Sequence, residues 1–169
     1  VNSHETFFMC EDSSVWRDSS LTIKKGARLV TTAGKEIESW GNVDIQGEYD
    51  NRVIIDGVKI STSPYVRDLS VNVNYTDFNN EANIYHSSGS GTRGRTNVFN
   101  STFNSYYNHD TIGELKYNTF NNGISISASR EMNFSFNDIH CGNREKHCIR
   151  IRSHVESKNK DNLNLLSLN

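Results

Sequence analysis

Proline occurs once in this chain, at Pro64, and no window is rich in the helix formers Ala, Leu, Glu and Lys. Asn and Ser, both abundant, compete with the backbone for hydrogen bonds and disfavour helix interiors, so long helices are excluded. No uninterrupted apolar run approaches the roughly 18 residues of a membrane-spanning helix, and membrane insertion is not expected. A cationic excess is also missing. Eighteen Lys and Arg stand against 20 Asp and Glu, for a formal net charge of -2. A duplex-binding domain is normally basic, so nucleic acid is not an expected partner. The three cysteines, Cys10, Cys141 and Cys148, are too few and odd in number for a dense disulfide framework. No signal-peptide pattern opens the chain, and a first residue other than Met is what a processed protein or an excised piece would show.

What fills the chain is polar. Of 169 residues, 22 are Asn and 21 are Ser. Hydrophobic residues make up 34%, and the mean hydropathy is -0.66. That apolar share is low for a globular protein but too high for plain disorder. The length suits one domain, able to bury roughly two-thirds of its unfolded surface.

Residues 1–20 are polar and irregular apart from Phe7, Phe8, Met9 and Trp16, and are expected to form a lead-in or cap. From Leu21 the texture changes to short alternating runs. Leu21-Thr-Ile23, Val43-Asp-Ile45, Val53-Ile-Ile55 and Val58-Lys-Ile60 read as strands. Gly26, Gly34, Gly41, Gly47 and Gly57 punctuate them as bends.

The second half repeats itself. Val73–Asn80, Val98–Ser105, Leu115–Asn122 and Met132–Asp138 each run from apolar residues to a Phe and then directly to Asn. The Asn positions are Asn79, Asn104, Asn121 and Asn137. Leu115 and Tyr117 share a face at period two, and Phe120 returns to it after a one-residue slip, which implies a bend. The last unit is expected to turn Met132, Phe134 and Phe136 inward, then Ile149 and Ile151. An Asn at each bend tolerates the left-handed conformation and carries both donor and acceptor. Stacked at equivalent bends, such residues form a ladder, each bond contributing about 1 kcal/mol. Strand-and-turn repeats of roughly 20 residues indicate a solenoid.

Leu115-Lys-Tyr-Asn-Thr-Phe-Asn-Asn-Gly-Ile-Ser-Ile126 resembles a coil of the right-handed parallel β-helix, or pectin-lyase-like, superfamily, and Leu21–Ile60 is similar to the early coils of such proteins. The resemblance implies an all-β fold, a right-handed parallel β-helix of about six coils over residues 21–154, with 155–169 as a C-terminal tail or cap. It implies a glycan-recognising module of a phage tailspike-like or other surface protein, binding bacterial surface polysaccharide. The location implied is extracellular or on a virion. A polysaccharide lyase or hydrolase is the rival, and a structural stalk or adhesin passenger the third reading. A homotrimer follows only by analogy with tailspikes, and no cofactor is expected.

Hydrolases of polysaccharides need two carboxyl groups at a set separation. Asp44, Asp56, Asp77, Asp110, Glu114 and Asp138 are available, but the sequence does not pair them, and the catalytic residues stay unassigned. Lyases need a cation against the substrate carboxylate and a base. The glycan-contact candidates are Arg93 and Arg95 in the Gly/Ser-rich stretch 87–96, Lys116, Arg150 and Arg152 outward on strands, and Tyr106 and Tyr107 as ring platforms. Trp40 is placed in the same class of platform. Phe103, Phe120, Phe134 and Phe136 fit a core stack instead. His140-Cys141 and His147-Cys148 leave three alternatives open: a disulfide, free thiols or a zinc site, the last lacking a Cys-x-x-Cys pair. The apolar alternation of Asn162–Asn169 suits a cap on the last coil.

Overall fold

The computed structural model describes residues 1–32, 34–63, 65–66, 68–86, 94–109, 112–128, 132–142 and 148–153. Among them are twenty strands and no helix. An opening rung holds β1 (Thr6–Phe8), β2 (Ser13–Val15) and β3 (Ser20–Lys24). The next rung is β4 (Arg28–Val30), β5 (Glu36–Ser39) and β6 (Asn42–Gln46), followed by β7 (Val53–Asp56), β8 (Lys59–Thr62) and β9 (Ser70–Asn74). Then come β10 (Thr76–Asn79), β11 (Asn83–His86) and β12 (Arg95–Phe99), and after them β13 (Thr102–Phe103), β14 (Tyr107–His109) and β15 (Ile112–Lys116). The last full rung is β16 (Thr119–Phe120), β17 (Ile124–Ala128) and β18 (Met132–Ser135), and β19 (Asp138–Ile139) and β20 (Ile149–Ser153) start another.

Every ladder is parallel. One face stacks β1-β4-β7-β10-β13-β16-β19, a second stacks β3-β6-β9-β12-β15-β18, and the third is split into β2-β5-β8-β11 and β14-β17-β20. This is a β-solenoid of about five turns, slightly fewer than the six expected, with the opening rung and the last partial one outside that number. Coil length varies because the corners absorb insertions while the register of the faces holds. Arg28 pairs with Ile54, 26 residues on, yet Thr102 pairs with Thr119, only 17 on.

Period two decides the core. On the first face Leu29, Ile55, Phe78, Phe103 and Phe120 lie over one another and are buried. On the second, Ile23, Ile45, Val73, Val98, Leu115 and Phe134 do the same. Phe103 sits midway in a ring stack, 4.5 Å from Phe78 and 5.2 Å from Phe120, with Tyr107 at 4.2 Å.

The one-residue slip is a left-handed corner between the second face and the first. Tyr75, Asn100, Tyr117 and Phe136 occupy it with φ of 43°, 53°, 58° and 55°. Such a φ costs an L-residue roughly 1–2 kcal/mol. The residue after each corner offsets this by turning its polar side chain inward: Thr76, Ser101, Asn118 and Asn137. Ser101 N–H donates to Asn118 Oδ1 at 3.0 Å, and Asn118 N–H to Asn137 Oδ1 at 2.9 Å. Asn118 Nδ2 donates to Val98 O at 2.9 Å, and Asn137 Nδ2 to Leu115 O at 2.8 Å.

The expected Asn ladder exists for three of its four members, beside this inner polar row. Asn79, Asn104 and Asn121 form it on the outside, with Nδ2-to-Oδ1 bonds of 2.6 Å from Asn104 to Asn79 and from Asn121 to Asn104. Asn137 does not belong there. It is the half-buried counterpart of Asn118, and the fourth repeat is displaced by two residues at Met132 and by three at Phe136. Phe134, not Met132, lies over Leu115, and Ile139, not Phe136, lies over Phe120. Phe136 is a corner residue, 57% exposed, and stacks on the equally exposed Tyr117 at 5.1 Å. The expectation that Phe136 and Tyr117 point inward is corrected on this point. Residues 1–20, expected as a lead-in, already contribute β1 and β2, which pair in register with β4 and β5. Residues 155–169 lie outside those described.

Candidate functional site

The residues singled out from the sequence do not converge. Arg95 opens β12 and is exposed. Lys116 ends β15, and its Nζ sits 2.6 Å from Glu114 Oε2, so its charge is matched locally. Arg150 and Arg152 are exposed on β20, on another face, over Ser125 and Ser127. Ile149 and Ile151 lie over Ile124 and Ile126 as the alternation requires, although both remain partly exposed. Tyr106 is half-buried beside Gly123. Tyr107 is buried in the ring stack, its hydroxyl 3.2 Å from His109 Nδ1, and offers no face to a ligand, which corrects its reading as a platform. Arg93 lies outside the described residues, as does Asp110.

The carboxylates are mostly engaged. Asp77 takes Arg52 in a two-pronged ion pair at 2.7–3.0 Å, Asp56 accepts Asn80 Nδ2 at 2.6 Å, and Asp44 accepts Gln46 Nε2 at 2.5 Å. Cys141 and Cys148 are joined as a disulfide, and of the three alternatives only that one stands; Cys10 is a free, exposed thiol. Among the described residues no group of three His, Cys, Asp or Glu comes together to hold a metal.

A groove does form, at the corner where β2, β5 and β8 hand over to the second face. Trp16 and Trp40 follow β2 and β5 at equivalent positions, since Val15 pairs with Ser39. Trp40 N–H donates to Val15 O at 2.8 Å, and Ser39 Oγ donates to Gly41 O at 2.7 Å, fixing the corner. Gly41 is needed there: a Cβ would lie 1.9 Å from Ser19 O. The 16–19 turn can thus press onto the corner, with Ser19 N–H bonded to Trp16 O at 3.1 Å and Asp18 at φ 66°.

One rung on, Tyr65 stacks on Trp40 with centroids 6.3 Å apart and planes 29° apart, and it is 77% exposed. Asp68 follows at φ 62°. These elements border an open groove of about 730 Å³, lined by Trp40, Tyr65, Arg17, Asp18, Asn42 and Asp68 together with serine, glycine and two aliphatic residues. Its volume is in the range of sites that bury a small ligand, roughly 300–1,000 Å³. Of this set the sequence pointed only to Trp40. Asp18, Tyr65 and Asp68 come together through coil stacking, and the one available signal was the return of Trp at a coil's spacing, at 16 and at 40.

Two other polar groups are perturbed. Burial pushes the phenol of Tyr107 above its ordinary value. Burial also raises Tyr85, helped by the hydrogen bond its hydroxyl donates to Glu36 Oε1 at 2.7 Å. Both folded-state values lie above the unfolded one. The stability they contribute is therefore whole below about pH 10 and is lost as pH rises through the raised values. In an alkaline titration followed by tyrosinate absorbance, Tyr107 and Tyr85 are expected to ionise above the ordinary phenol range. Tyr107→Phe removes one of these late-ionising phenols; a high-pH end of the curve unchanged by that substitution would contradict this.

Compared with protein-family models, with curated proteins and with solved structures, the chain matches none. The fold alone defines its class, a parallel β-solenoid.

Proposed function

We propose that this chain is a glycan-recognising module of the pectin-lyase-like, tailspike-like kind, holding a surface polysaccharide in the groove at Trp40 and Tyr65. The observation that carries the reading is the pairing of two stacked, accessible rings with Asp18, Asp68, Arg17 and Asn42 around one open groove. Sugar rings present apolar C–H faces and polar edges, and rings flanked by charged and amide groups answer both. The Cys141–Cys148 disulfide agrees with an oxidising, extracellular setting. A lyase or hydrolase is the second reading, favoured by one fact: Asp18 and Asp68 line the same groove.

The test is titration of a panel of capsular, O-antigen and uronate polysaccharides, read by tryptophan fluorescence and calorimetry, with reducing ends measured in parallel. Trp40→Ala is expected to weaken binding about 30-fold, as truncation of a central aromatic anchor does, with the melting temperature unchanged within a few degrees. Binding by no polysaccharide, or binding undiminished in Trp40→Ala, overturns the proposal. New reducing ends move the assignment to the enzyme reading.

A further inference from the structure

We infer that the ligand of this groove is an uncharged stretch of glycan, built of neutral hexose or N-acetylhexosamine units, rather than a polyanion. The inference rests on the glycan-binding reading and narrows it. The described lining holds two carboxylates, Asp18 and Asp68, against one guanidinium, Arg17. Arg67 lies outside the described residues. A polyanion is held by cationic excess, and a substrate carboxylate brought against Asp18 or Asp68 is repelled and desolvated as well. The cations that could serve a polyanion are elsewhere. Arg95 opens β12, Arg150 and Arg152 are on β20, and Lys116 is matched by Glu114.

What the groove does offer is suited to hydroxyls. An ionised carboxylate only accepts hydrogen bonds and can take two at once, which is the demand of neighbouring hydroxyl donors on a neutral sugar. Asn42 complements this. Its Oδ1 already accepts Ser70 N–H at 2.9 Å, so the amide nitrogen is the end left to donate to a sugar oxygen. Ser19 and Ser20 donate or accept as needed. Trp40 and Tyr65 supply the ring surface.

The experiment compares neutral oligosaccharides (dextran, galactan and chitooligosaccharide fragments) with polygalacturonate and alginate fragments of similar length, by calorimetry at low and high salt. At least one neutral ligand is expected to bind, with affinity nearly independent of salt, and the uronates to bind at least 10-fold more weakly, the scale of one unfavourable charge contact. Asp18→Asn and Asp68→Asn keep the shape and the tolerance for a left-handed φ, and each should weaken the neutral ligand about 10-fold. Uronate binding as tight as neutral binding or tighter, lost at high salt and abolished by Trp40→Ala, overturns this inference while leaving the glycan site in place. Neutral binding unaffected by both Asp variants overturns it too. Binding of neither class, or binding indifferent to Trp40→Ala, removes the site itself.

Discussion

Phe103→Ala is expected to cost about 3–5 kcal/mol, the largest effect of any single truncation here. Phe103 is fully buried and touches rings on three sides, at Phe78, Phe120 and Tyr107. Alanine loses the transfer energy of the ring and leaves a cavity that a parallel stack cannot close, because the strands above and below are tied at fixed spacing by their ladders. For a chain of this length the melting temperature should fall by about 10 °C or more. Scanning calorimetry checks it, and Phe103→Leu should recover more than half. The decisive comparison is with Phe136. Phe136→Ala costs less than about 1 kcal/mol, because that ring is at an exposed corner. Ile139→Ala costs more than Phe136→Ala, because Ile139 continues the Phe120 column. The opposite ranking would mean that the last coil is threaded by the Phe-Asn pattern after all.

Asn118→Ala is expected to cost about 3 kcal/mol although it removes no apolar contact. The buried amide accepts Ser101 N–H and donates to Val98 O and to Asn137 Oδ1. Alanine strands a buried backbone N–H and a buried carbonyl, each of which costs about 1–3 kcal/mol when left without a partner. It also removes the anchor that holds Tyr117 in its left-handed corner. Asn104→Ala in the outer ladder breaks two side-chain bonds, to Asn79 and Asn121, against three at Asn118, yet should cost less than about 1 kcal/mol because water replaces them at an exposed site. Urea denaturation of the two variants measures the contrast. Equal losses would show that burial does not set the worth of these amides.

Both predictions bear on what could be read from the residues. The first three Phe-Asn repeats line up in the structure as they do by eye: Val73, Val98 and Leu115 share one column, and Phe78, Phe103 and Phe120 another. The fourth does not. A pattern keyed to Phe selects Phe136, whereas the fold is keyed to alternation and to the corner. Phe134 completes the Leu115 column, Phe136 takes the left-handed turn, Asn137 enters the inner polar row, and Ile139 arrives over Phe120. A Phe, an Ile and a Leu fill such a column equally well, since apolar burial has no direction. The bend was legible at Asn121; the inner polar row beside it was not, because Thr76, Ser101, Asn118 and Asn137 share a position but not an identity.

The sequence by itself determined the class of fold. Scarce helix formers, period-two apolar runs, frequent Gly and Asn bends and a recurring coil-length unit leave a stacked parallel solenoid as the arrangement that buries one face of every strand. It also determined where most of the core lies, because alternation fixes inside and outside once the strands are placed. Only the tertiary structure decided the site. Asp18, Trp40 and Asp68 belong to successive coils separated by corners of unequal length, and no spacing along the chain brings them together. Their meeting follows from the register of the parallel ladders, which sets residues from neighbouring coils side by side, within one strand spacing of about 4.8 Å. The same stacking took Tyr107 into the core and left the predicted cations on separate faces. A charge or a ring reads the same in sequence on either side of a sheet, and only the completed coil decides which neighbour it meets.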